Sequence, residues 1–109
     1  MSDVSSVPAA LNPFIGSWRH VAPWSGNDYL AEYVVAWARG AVTVSGRDLS
    51  DGEEFVISDV AFDGRSLRFR SVMPSTRREG VNEFTVTPSG EIEARFIFSV
   101  VENMVRHAA

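Results

Sequence analysis

Residues 54–73 read EFVISDVAFDGRSLRFRSVM, two runs rich in β-branched and aromatic residues that meet at Asp63-Gly64. An Asp-Gly pair accepts the positive φ angles of a tight primed turn, so Ser66–Met73 must fold back antiparallel on Glu54–Phe62. The returning arm alternates: Leu67, Phe69, Ser71 and Met73 share one face, and Arg68 and Arg70 share the other. Alternation of this kind describes a strand with one dry side and one wet side.

Outward from this hairpin the same pattern recurs about every ten residues, the spacing of an all-β domain. Upstream it gives strands over Gly16–Val21, Tyr29–Arg39 and Val42–Arg47. Downstream it gives Asn82–Thr87, Glu91–Phe98 and Val100–His107, although Ser99 is a poor turn residue ahead of the last. Between them lie the turn-rich stretches Pro23–Asp28, Gly40, Asp48–Gly52, Pro74–Gly80 and Pro88–Gly90. A helix would accept the Ala, Leu, Glu and Met of Tyr29–Arg39 and Phe96–Arg106, but their Val, Tyr, Trp and Phe suit a pleated surface better. Ser2–Val7 is a small polar tail, and Pro8-Ala9-Ala10-Leu11 permits one helical turn.

The 109 residues suffice for a single core, so residues 1–13 are read as a tail and capping turn and residues 14–109 as one β domain. Eight consecutive antiparallel strands leave two open edges unless the sheet closes. The expected fold is therefore all-β, an eight-stranded antiparallel up-and-down barrel with a short N-terminal helical turn.

Composition narrows the function classes. The formal net charge is -4, and all ten basic side chains are Arg, scattered along the chain rather than clustered. A general nucleic-acid binder needs a basic patch, so none is expected. The chain has no Cys, which excludes disulfides, thiolate nucleophiles and Cys-based metal centres. Its histidines, His20 and His107, lack the spacing and companions of a zinc site, and neither a metal nor a cofactor is expected. No basic n-region precedes an apolar run near Met1, and no stretch of about 18 apolar residues occurs, so the expected setting is cytoplasmic, without a membrane span.

Gly16-Ser17-Trp18 stands at the start of the first strand after a short turn, and Arg106 stands near the end of the last. This arrangement resembles the Gly-x-Trp and terminal Arg signature of the lipocalin and wider calycin group. Without an export signal or disulfide, and at this length, the chain is most similar to the small bacterial lipocalin-like proteins. The resemblance implies that Arg106 packs across Trp18 at the closed barrel end, a cation–π contact of about 0.5–2 kcal/mol. It leaves the activity open, because those relatives serve varied roles.

Candidate site residues follow from which side chains face inward. Tyr29, Tyr33 and Trp37 share a face of the second strand, Phe69 and Ser71 lie on the dry face of the fifth, and Glu102 shares parity with Met104 and Arg106 on the last. Tyr33, Trp37, Phe69, Ser71 and Glu102 are the expected ligand-binding set, with Gly16, Trp18 and Arg106 structural and no catalytic residue assigned. An inward Glu102 would be desolvated and its pKa raised, as a general acid or base requires, and Asp59 invites the same question. Ser75, Thr76, Arg77 and Arg78 could hold an anionic group at the barrel mouth. The second strand is apolar on both faces, which predicts a homodimer with Leu30, Val34 and Ala36 in the contact. The function expected is binding of a small apolar or aromatic ligand. The alternatives are an enzyme performing proton transfer or cyclisation on an apolar substrate, and a ligand-free homodimeric interaction protein.

Overall fold

The computed structural model describes residues 7–19, 31–99, 101 and 103–107. A 3-10 turn at Asn12–Phe14 leads into β1 (Gly16–Arg19), followed by β2 (Ala31–Ala38), β3 (Ala41–Asp48), β4 (Val56–Phe62), β5 (Ser66–Met73), β6 (Arg78–Val86) and β7 (Ile92–Ser99). The strands form two antiparallel meanders, β1-β2-β3 and β4-β5-β6-β7.

This is all-β, but it corrects the expected barrel: the described residues form seven strands in two sheets, not eight in one closed sheet. Two breaks account for the difference. Between β3 and β4 the ladder is reduced to one isolated bridge, Arg47 with Glu54. Of the expected eighth strand, the described residues Val101 and Asn103–His107 are exposed and lie in no strand. The sequence of that segment explains why. Its apolar residues come in adjacent pairs, Val100-Val101 and Met104-Val105, so neither face of a strand built from it would be consistently apolar. Turning Arg106 inward would carry Glu102 with it into the core, at a desolvation cost that one Met does not offset.

Turn chemistry also differs from expectation. The primed two-residue turn lies at Arg39-Gly40, where φ is 54° and 77° and Ala38 pairs with Ala41. At Asp63-Gly64 only Gly64 takes positive φ. Asp63 acts through its carboxylate, whose Oδ1 accepts the backbone N–H groups of Arg65 at 2.9 Å and Ser66 at 2.8 Å. An Asp side chain can close a turn in this way as well as through its backbone.

Both sheets contribute to one core. Tyr33 and Val35 of β2 meet Leu67, Phe69 and Met73 of β5 and Phe84 of β6, and Phe55, Leu11 and Phe14 complete it. Rings meet edge-to-face between the sheets, where Tyr33 lies 5.0 Å from Phe69 and 6.2 Å from Phe84, and within the four-stranded sheet Phe69 lies 5.5 Å from Phe84. Each such pair contributes about 0.5–1.5 kcal/mol beyond the area it buries. At one end the 3-10 turn seats Phe14 against Phe62 at 5.5 Å, and the Trp18 indole Nε1 donates to the Phe14 carbonyl at 2.7 Å. The turn thus caps the core through Trp18. Arg106 stands exposed in no strand, so no final strand carries it across that ring.

Candidate functional site

The dry face of the four-stranded sheet carries two buried polar side chains, Ser71 and Asn82. Register sets Phe69 opposite Asn82 and Ser71 opposite Gly80 between β5 and β6, then Asn82 opposite Phe96 and Gly80 opposite Phe98 between β6 and β7. Asn82 is 3% exposed and Ser71 5%. The Asn82 Nδ2 donates to Ser71 Oγ at 3.2 Å and to the Phe69 carbonyl at 3.4 Å. Leaving such an amide unpaired in apolar surroundings would cost about 1–3 kcal/mol, which is why the hydroxyl stands beside it. Both described bonds use the amide nitrogen, and the Oδ1 of an amide has two further acceptor positions.

Aromatic rings surround this pair. Phe69 flanks it on β5, while the half-buried Phe96 and Phe98 of β7 lie 5.1 Å apart on the open side. Gly80 makes room for them: a Cβ there would lie 3.1 Å from Ser71 Oγ and 3.2 Å from the Phe98 ring. The Arg78 guanidinium sits over Phe98 at 5.9 Å, closing one side of the aromatic wall with a cation.

Of the expected ligand-binding residues, the fold gathers Tyr33, Phe69 and Ser71 into this interior. Trp37 lies farther along the same face of β2, opposite Val42, half-buried, with its Nε1 buried and unpartnered among the described residues. Glu102 lies outside the described residues, as do Leu30, Tyr29 and His20. Asn82 and Gly80 escaped the sequence reading, because the strand was expected to begin at Asn82 and not at Arg78. An Asn at an inward position two residues from a Phe was the available signal. Gly46, inside β3, was missed as well: a Gly within a strand pattern marks a close approach, and here the approach is that of Tyr33.

The other candidates turn outward. Asp59 sits at a β-bulge between Ser58 and Ala61 with φ 54°. Its side chain is 70% exposed, with Arg70 at 3.8 Å, so it is no inward carboxylate. Arg70 is held more closely by Glu79, which raises its already high pKa. The expected anion loop is shorter than thought, a Pro74–Arg77 turn ahead of β6. Ser75 donates there from N and Oγ to Glu53, at 2.8 and 2.7 Å, so its hydroxyl is already engaged with a carboxylate.

On the outer face of the three-stranded sheet, Glu32 lies between two guanidinium groups, with Arg19 Nε at 2.8 Å and Arg47 Nε at 3.0 Å. Arg19 first, then Arg47, hold its carboxyl below the ordinary 4.5 against partial burial. These arms cover the face of β2 near Glu32 and leave Val34 37% exposed, beside an open groove of about 340 Å³ that reaches Glu54 and Phe55. Among the described residues no three His, Asp or Glu side chains gather as metal ligands, and no helix is long and apolar enough to cross a membrane.

The comparisons add no relative. The chain matches no protein-family model, no curated protein and no solved structure. Its chemistry is therefore read from these side chains alone.

Proposed function

We propose that this chain binds a small, mainly apolar ligand against the inner face of β5, β6 and β7. The observation that carries the reading is the buried Ser71–Asn82 pair inside an aromatic wall. Ligand sites combine apolar walls with a few placed polar groups, and such groups fix a ligand's orientation where a core of the same size needs none. Phe96 and Phe98, half-buried at the open side of the sheet, supply the adjustable part of that wall. Among the described residues the pair contains no titratable group, which favours binding over proton transfer. Distant kinship with the calycins belongs to the same proposal, supported by Gly16-Ser17-Trp18 at the start of β1 behind a 3-10 turn. A cytoplasmic setting, consistent with the absence of Cys, is likewise proposed.

The test is titration with anilinonaphthalene sulfonate and a series of medium-chain fatty acids, followed by Trp fluorescence. Saturable binding that weakens about tenfold or more in Asn82→Leu, with the protein still folded, supports the reading. Absence of any saturable probe, or an affinity indifferent to Asn82→Leu, overturns it.

A further inference from the structure

The open edge of β7 has a charge pattern that fits itself. Among the described residues β7 pairs with β6 alone. Across the outer face, register sets Arg68 of β5 opposite Glu83 of β6, and Glu83 opposite Arg95 of β7. The row alternates in sign, and its first step is a bonded pair, Arg68 Nε to Glu83 at 3.1 Å. It stops at Arg95 at the sheet edge. Two residues back on the same face stands Glu93. Both are exposed, and neither makes an ion pair among the described residues. The strand carries no Pro or Lys, the usual devices that keep an edge from pairing.

We infer that β7 pairs antiparallel with β7 of a second copy, about a two-fold axis at Ala94. Residues directly opposite in an antiparallel pair share a face. With the axis at Ala94, Glu93 lies opposite Arg95 of the second copy, and symmetry repeats the pair, so the alternating row continues across the junction. On the inner face the same register sets Ile92 opposite Phe96 of the second copy, again twice, joining side chains that are half-buried in one chain. Neighbouring registers do worse: an axis at Arg95 opposes two guanidiniums, one at Glu93 opposes two carboxylates, and one at Phe96 sets Arg95 against Ile97. The contact is isologous and joins the two four-stranded sheets into one of eight strands. A single strand edge is smaller than a standard interface of about 800 Å² per partner, so affinity in the micromolar range is expected.

Because the chain contains no Cys, Ala94→Cys introduces a single thiol at the axis. Opposed strand residues lie about 4.5–5.5 Å apart at Cα, within disulfide reach. Oxidation is expected to yield a covalent dimer of the folded protein. In sedimentation from micromolar to millimolar concentration, Glu93→Arg and Arg95→Glu each raise the dimer midpoint about tenfold or more, and the double reversal restores it because the pairs are merely exchanged. Circular dichroism confirms that each variant is folded. A full-length chain that stays monomeric throughout overturns the inference. So does a dimer that ignores both reversals, a double variant that is not restored, or a dimer in which Val34→Cys cross-links and Ala94→Cys does not, which would place the contact on β2.

Discussion

The ring of Tyr33 on β2 occupies the space that any side chain at Gly46 on β3 would need, since a Cβ there would fall 2.7 Å from Cδ1 and 2.8 Å from Cε1. Tyr33 is 5% exposed and braced by Phe55, Phe69 and Phe84, so it has little room to yield. Gly46→Ala is therefore expected to destabilise the fold by about 1–3 kcal/mol, an overpacking cost, although the residue lies in a regular strand. Urea unfolding of the variant measures it. An unchanged midpoint would show that the ring swings aside freely.

Removing half of the polar pair should cost more than removing both members. Ser71→Ala takes the acceptor from Asn82 Nδ2 and leaves only the long bond to the Phe69 carbonyl, an expected loss of about 1–3 kcal/mol. Ser71→Ala combined with Asn82→Leu replaces the pair by apolar groups and should recover most of that loss. A double-mutant cycle by chemical denaturation reads the coupling, and additive effects would show that the pair is not energetically linked.

Acid sensitivity should trace to two carboxylates. Glu32 is held below its ordinary 4.5, foremost by Arg19. Asp63 is held below its ordinary 3.8, foremost by the Ser66 N–H and then by that of Arg65. A depressed folded pKa contributes stability that is fully present above the unfolded value and is lost as pH falls through the folded one. Glu32→Gln and Asp63→Ala should thus lower the denaturation midpoint at neutral pH and converge on the unmodified chain in acid, once the pH is below both depressed folded values. Salt should shrink the Glu32 difference, whose Arg partners are 59% and 50% exposed. A gap that persists in strong acid would contradict this.

The Arg39-Gly40 turn stores strain that a substitution can release. Arg39 takes φ 54° at the first position of a primed turn, where Asn is favoured. Left-handed backbone costs an ordinary residue about 1–2 kcal/mol, so Arg39→Asn should raise stability by about 0.5–1 kcal/mol. Thermal unfolding checks the sign.

Much of the strand plan was legible because alternation has a local cause. β5 is Ser66–Met73 as read, and β7 is shifted by one residue, since a strand with one dry face must alternate wherever it sits in the chain. The burial of Tyr33, Phe69 and Ser71 was foreseeable for the same reason. Asn82 and Gly80 were not, because what an inward Asn can bond depends on which residue stands across from it. Only the β5–β6 register supplies Ser71 and the Phe69 carbonyl.

By itself the sequence determined an all-β chain of short antiparallel strands without disulfides, because apolar alternation, turn residues and the lack of Cys act locally. Tertiary structure decided whether the strands close. Closure depends on the free energy of joining distant edges, and here a final segment with paired rather than alternating apolar residues gives up too little apolar surface to offset burying Glu102 and Arg106. The result is two facing sheets, with the edge of β7 left to β6 alone among the described residues.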